Sequence, residues 1–104
     1  MAKTKEALKI LDRITRKDVA LKRLIEEEEL NAKVARLIYE ARTKAGFTQQ
    51  QLAKRIGTTQ PGIARLEDAD YRGHSLTMLQ RIAQALDGQL EIHLVSGKER
   101  LKAA

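Results

Sequence analysis

Residues 47–67, FTQQQLAKRIGTTQPGIARLE, predict two short helices joined by a tight turn. Thr48 can cap the first helix, because its hydroxyl can accept from a backbone N–H that has no partner inside the helix. Gly57 follows the apolar residues of that helix and can adopt the left-handed conformation that ends it. Thr59 can then cap a second helix, so the turn between the two is only about three residues long.

Two helices joined so closely cross at a steep angle, as in the motif whose second helix enters the major groove of DNA. Glutamine can pair bidentately with adenine, and arginine can do so with guanine. The predicted outward face of the second helix carries both residue types, in the set Thr59, Gln60, Gly62 and Arg65. The alternative is that these residues form an ordinary solvated face of a small helical protein.

The wider segment, residues 37–86, combines cap, packing, turn and surface positions at a fixed spacing: Gln50 or Gln51, Leu52, Ala53, Gly57, Thr59, Ile63 and Glu67. In this combination the segment resembles the Xre family of lambdoid phage repressors. The resemblance implies a lambda-repressor-like domain in which Gln60, Gly62 and Arg65 face bases. The sequence departs from the phage repressors at Pro61 and Gly62, where they carry longer polar side chains, so fewer base contacts are available.

The resemblance also implies roles for residues outside the second helix. Gln49 matches a residue that contacts a DNA phosphate and supports the recognition helix. Thr48 and Gln50, on either side of it, are included among the expected DNA contacts. Arg42 and Glu67 match a structural ion pair of the family.

Turn-forming residues at 68–73 predict a loop before the last helix, which Ser75 can cap. In the family this loop lies close to the DNA-facing side. Arg72, His74 and the amide of Ser75 are therefore candidates for phosphate contacts. The alternative for Arg72 and His74 is that they are simply solvated. Apolar residues at helical spacing predict the last helix, which ends near Gly88.

Residues 1–30, called the arm below, precede the predicted DNA-binding domain of residues 31–88. Apolar residues at helical spacing predict that the arm forms two helices or one kinked helix. The first helix of the domain is expected to run from about Asn31, or continuously from the arm, to Ala45. The acidic run at residues 26–29 is either a solvated face or a surface for a basic partner.

Residues 89–95, QLEIHLV, alternate between polar and apolar, which predicts a β-strand. No other segment shows comparable alternation, and a lone strand cannot satisfy its own backbone hydrogen bonds. We therefore expect it to pair with the same strand of a second copy, with Leu90, Ile92 and Leu94 in the interface. Such a homodimer would place two recognition helices about 34 Å apart and would favour a palindromic double-stranded DNA operator.

The predicted fold is mainly α: a five-helix lambda-repressor-like helix-turn-helix domain, an N-terminal helical arm, one C-terminal β-strand pairing across a homodimer, and a flexible basic tail at residues 96–104. This layout resembles antitoxins of the HigA type. The resemblance implies a repressor that neutralises a small, basic RelE-like ribonuclease toxin, as in HigBA-type pairs, and represses its own operon. The alternatives are a stand-alone Xre-family regulator and an interaction module that does not bind DNA.

If a toxin exists, the leucines of the arm are expected either to face it or to pack within the protein's own dimer. These residues are Leu8, Leu11, Leu21 and Leu24.

Composition supports a partner that is a polyanion. Twenty Lys and Arg residues outnumber 14 Asp and Glu, giving a net charge of +6. The chain has no cysteine, its two histidines lie far apart in sequence, and no catalytic motif is present, so we expect no metal, no cofactor and no enzymatic activity. No apolar run reaches the length of a membrane span and no signal peptide is evident, so the expected location is cytoplasmic.

Overall fold

The computed structural model describes residues 2–97, with side chains from residue 5 onward. This part of the chain contains four helices, α1 (Ala2–Lys44), α2 (Gln49–Ile56), α3 (Gln60–Leu66) and α4 (Leu76–Ala85). The fifth helix expected for the domain is therefore not seen within these residues. The chain leaves α4 through Asp87, which has a φ of 57°, and residues 88–96 form no helix. Residues 98–104 of the predicted basic tail lie outside the described part.

Helix α1 joins the arm to the domain without interruption. Its 43 residues include no glycine and no proline, the two residue types that most often break a helix. At 1.5 Å per residue it is about 65 Å long, which accounts for most of the 68 Å length of the molecule. The expectation of a continuous helix from the arm into the domain is confirmed, and the alternative of two separate arm helices is wrong.

Caps set the boundaries of α2 and α3, as the sequence predicted. Thr48 Oγ1 accepts from the backbone N–H of Gln51, and the side chain of Gln51 accepts from the backbone N–H of Thr48. Gly57 ends α2 with a φ of 77°, in the left-handed region. Thr59 caps α3 by accepting from the backbone N–H of Gly62 at 3.2 Å. Local chemistry alone therefore fixes the turn between the two helices.

A small apolar core holds the four helices together. Leu52 of α2 and Ile63 of α3 are completely buried. The other core residues come from all four helices: Ile38, Ala53, Leu66 and Ile82. We call the unit formed by α2, α3, α4 and residues 34–44 of α1 the body. Residues 5–30 of the arm contribute no side chain to this core.

Residues 89–96 leave the body without regular secondary structure, and no strand is present among residues 2–97. Leu90 is half-buried, whereas Ile92, Leu94 and Val95 are exposed. A β-strand requires a neighbouring strand for its hydrogen bonds, and the described part of the chain offers none. Pairing of this segment with a second copy therefore stays a prediction.

None of the helices in the described part is both long and apolar enough to cross a membrane.

Candidate nucleic-acid interface

Helix α3 presents a polar face to solvent because its opposite face is anchored in the core. Ile63 and Leu66 are buried on the inner side. Gln60 and Arg65 are exposed on the outer side. The side chain of Arg65 makes no hydrogen bond or ion pair with the described residues, so its guanidinium is available to a ligand. This geometry places an amide and a guanidinium on one rigid, accessible helix.

Gly62 lies where α3 passes closest to the turn. A Cβ atom at this position would lie 2.9 Å from Thr58 Oγ1 and 3.3 Å from Thr59 Oγ1, the hydroxyl that caps the helix. A larger residue would have to displace at least one of these hydroxyls. The space around position 62 in this chain therefore favours glycine.

The side chain of Gln60 is held by the start of α2. Gln60 Nε2 donates to Gln49 Oε1 at 2.6 Å, and Gln49 Nε2 donates to Glu67 Oε1 at 3.3 Å. Gln60 uses one of its two amide N–H groups in this contact, so the other N–H and its Oε1 remain for a ligand. Gln49 therefore links the exposed side chain of Gln60 to the buried carboxylate of Glu67.

That carboxylate belongs to the ion pair between Glu67 and Arg42. Arg42 Nε and Nη2 donate to the two Glu67 oxygens at 2.6 and 2.9 Å, and Arg42 Nη1 donates to the carbonyl of Phe47 at 2.7 Å. Both side chains are almost entirely buried. The hydrogen bond with Glu67 raises the pKa of Arg42, against the opposing effect of burial. The pair ties α1, the α1–α2 turn and the end of α3 together.

The loop residues expected at phosphates make contacts inside the protein. Arg72 forms an ion pair with Glu28 of the arm, although its side chain is still 64% exposed. His74 Nε2 donates to the carbonyl of Leu66 at 2.7 Å, and its ring meets Tyr71 edge-on with centroids 4.9 Å apart. His74 Nδ1 is buried without a hydrogen-bond partner in the described chain. The histidine therefore faces inward, while Arg72 remains accessible.

The residues expected at the ends of α2 and α4 divide into capping and free groups. The hydroxyls of Thr48 and Ser75 accept from backbone N–H groups, each at 3.1 Å, and so serve as caps. Gln50 is exposed at the start of α2. The helix ends near Thr48 and Ser75 still present backbone N–H groups, which favour anions.

Sequence reasoning missed one structural cation, Arg55 of α2. Its Nη1 donates to the carbonyl of Ala85 at 2.7 Å, and its guanidinium lies 4.4 Å from the centre of the Phe47 ring. The last carbonyls of a helix favour a cation, so a basic residue facing the end of α4 could have been anticipated once the helix packing was known. Arg55 thereby fastens α2 to the end of α4.

No three His, Cys, Asp or Glu side chains of residues 5–97 are grouped so that they could hold a metal ion.

Two short helices with a left-handed glycine between them, a buried contact and a polar outer face define a helix-turn-helix domain. Residues 38–92, more than half of the chain, match the Helix-turn-helix family, and the chain belongs to this family, in its Xre-type form. A protein of Methanothermobacter thermautotrophicus described as an uncharacterized HTH-type transcriptional regulator is 46% identical over 50 residues, which cover 48% of this chain and 71% of that protein. These findings support DNA-binding transcription regulation, in a family that is typically non-enzymatic.

Proposed function

We propose that this protein is a transcriptional repressor that binds a palindromic double-stranded DNA operator as a homodimer and reads it with α3. The observation that carries the proposal is the exposed pair Gln60 and Arg65 on a helix anchored by buried residues. In the major groove, the free N–H and Oε1 of Gln60 match the two groups that adenine presents. The guanidinium of Arg65 matches the two acceptors of guanine.

Contacts with DNA phosphates would lie on either side of the base contacts made by α3. The start of α2, with Thr48, Gln49 and Gln50, and the start of α4 at Ser75 present backbone N–H groups of helix ends. Arg72 adds a cation that is largely exposed. His74 is engaged within the loop, and we assign it the role of holding that loop rather than a phosphate contact.

Dimerisation through the C-terminal segment, residues 89–95, is supported by the exposed apolar side chains of that segment. Ile92 and Leu94 are 59% and 97% exposed. Leu90 lies at an apolar groove of about 170 Å³ between α1 and α4, lined also by Leu37, Ile38 and Leu86. A second copy that pairs with residues 89–95 would satisfy their backbone groups and cover these side chains together.

The test is direct measurement of DNA recognition. An operator is first selected from a pool of random double-stranded sequences, and binding is then measured at fixed salt concentration. Arg65→Ala should weaken operator binding by about five- to 150-fold, corresponding to about 1–3 kcal/mol, and relax preference at one base pair.

Arg13→Ala serves as the matched control, because it removes the same charge far from α3. Arg13 lies about 37 Å along α1 from Ile38, the residue by which α1 joins the core of the body. The assignment of Arg65 as a base reader is wrong if Arg65→Ala and Arg13→Ala bind the operator equally well.

A finer form of the proposal is the antitoxin role implied by the layout. Glu26, Glu27 and Glu29 are exposed on the arm and would suit a basic partner. The protein is purified from its native host at a salt concentration that weakens nucleic-acid contacts. Recovery of a small basic protein in near-equal amount would support an antitoxin, whereas recovery of this chain alone would favour a stand-alone regulator.

A further inference from the structure

The arm exposes apolar side chains that none of the described residues covers. Leu11, Ile14, Leu21 and Ile25 are 49–58% exposed, and none of them packs against the body. Single exposed leucines are common on protein surfaces, but several apolar side chains along one face of a helix mark an interaction surface. The arm therefore has a face that needs a partner.

The spacing of these residues matches that of helices that pair side by side. Ala7, Leu11, Ile14, Asp18, Leu21 and Ile25 follow one another at alternating steps of four and three residues, the a/d repeat of a coiled coil. We call this set the seam. Asp18 is its one charged member, and a single polar residue at such a position typically fixes register and orientation. Val19 is also apolar and exposed, but it lies off the seam.

Charge along the arm is divided into two opposite halves. Residues 5–17 contain five basic and two acidic side chains, a net charge of +3. Residues 18–29 contain two basic and five acidic side chains, a net charge of −3. The boundary between the halves lies near the middle of the seam. A helix with this distribution is complementary to a second copy of itself, provided that the second copy runs in the opposite direction.

We infer that the seam is an interface with the arm of a second copy of this chain, and that the two arms pair antiparallel. In the a-to-d register centred on residue 16, Leu11 faces Leu21 of the second copy and Ala7 faces its Ile25. Asp18 then faces Ile14 of the other arm, and Lys17 of that arm, at the flanking g position, is the cation nearest to its carboxylate. A parallel pair would instead bring basic half against basic half and acidic half against acidic half.

This interface is distinct from the proposed strand contact and goes beyond the proposed DNA-binding function. Ile38 and Leu90 line the same groove. The middle of the seam lies about 33 Å from Ile38 along α1. The two-fold axis of an antiparallel arm pair crosses α1 at residue 16, so the same two copies cannot also pair their C-terminal segments. Arm pairing therefore joins different dimers and would bring two operators together.

The first test measures mass by sedimentation equilibrium of the full chain, with helicity followed by circular dichroism. We expect the wild type to form species larger than a dimer. Leu21→Lys, on the seam, should reduce the mass to that of a dimer. Val19→Lys is the matched control, since it adds the same charge to the same half of the arm at an equally exposed apolar position.

The second test determines orientation. The sequence contains no cysteine, so every disulfide that forms must involve an introduced thiol. Protein with Leu11→Cys is mixed with protein carrying Leu21→Cys and is oxidised gently. Antiparallel pairing predicts that the mixed disulfide between the two variants predominates, because only those positions come within bonding distance. Predominance of the Leu11→Cys or the Leu21→Cys self-linked product would overturn the orientation.

Each interface can fail independently of the other. If Leu21→Lys has the same mass as Val19→Lys and the wild type, the arm does not pair with a second copy. An arm covered by a different protein likewise contradicts the inference. So does a wild-type dimer whose mass Leu21→Lys leaves unchanged, because a dimer held together by the arms would dissociate into monomers. Failure of the strand contact appears separately, as an unchanged mass when Ile92→Lys is added to Leu21→Lys. Neither result depends on binding to DNA.

Discussion

The two ends of α1 are parts of one helix with opposite surroundings. In the body, Ala35 and Ile38 are at most 2% exposed. In the arm, Leu8, Ile10 and Leu11 are at least 56% exposed, although they are just as apolar. Apolar residues at helical spacing therefore predict that one face of a helix packs against another surface. They do not show whether that surface belongs to the same chain. The difference is visible only after α2, α3 and α4 have packed.

The largest expected difference in stability is between the loss of two ion pairs of α1, one in the body and one on the exposed surface. Arg42→Ala should destabilise the protein by about 3–5 kcal/mol, because it leaves Glu67 buried without its cation. Arg36→Ala should cost less than about 0.5 kcal/mol, since Arg36 and Glu40 form a solvent-exposed pair one turn apart. Urea unfolding followed by circular dichroism measures both. Equal losses would show that the body does not protect its ion pair from solvent.

A second contrast uses one residue type in both regions. Leu52→Ala removes a completely buried side chain and should cost about 2–5 kcal/mol. Leu8→Ala, in the arm and off the seam, should change the free energy of unfolding by no more than about 0.5 kcal/mol. The same unfolding measurement applies. A large loss for Leu8→Ala would mean that the arm is packed against something in the isolated protein.

The smallest expected effect lies where the two regions meet. Glu28→Gln removes the carboxylate that pairs with Arg72 and should change stability by less than about 1 kcal/mol, because Arg72 is mostly exposed. Freed from Glu28, Arg72 should contribute more to DNA binding at low salt. Operator affinity of Glu28→Gln is therefore expected to rise modestly, and adding Arg72→Gln should abolish the gain. A gain that persists without Arg72 would contradict this account.

Local chemistry made much of the body predictable. The boundaries of α2 and α3 follow from Thr48, Gly57 and Thr59, whose caps and left-handed turn involve only near neighbours in sequence. The contact between Arg42 and Glu67 was accessible through the resemblance to a known family, since 25 residues separate the two. Pattern and family together thus anticipated the elements that surround α3.

Long-range contacts were not predictable in the same way. The pairing of Arg72 with Glu28 and the inward position of His74 depend on how the loop returns to α1 and α3. The neighbouring residues in sequence do not indicate how the loop packs against α1 and α3. The alternation of residues 89–95 predicted a strand, but strand formation depends on a partner chain that the sequence of one copy cannot provide.

The hydrogen-bonded path from Arg42 through Glu67 and Gln49 to Gln60 has a consequence for protein engineering. Because Gln60 is oriented by its own protein, less side-chain entropy should be lost when it meets a base. The same path makes Gln49 and Gln60 a unit: a new residue at position 60 would leave the Gln49 carbonyl without its donor. Altering the base preference of this helix is therefore a problem of selecting two positions together.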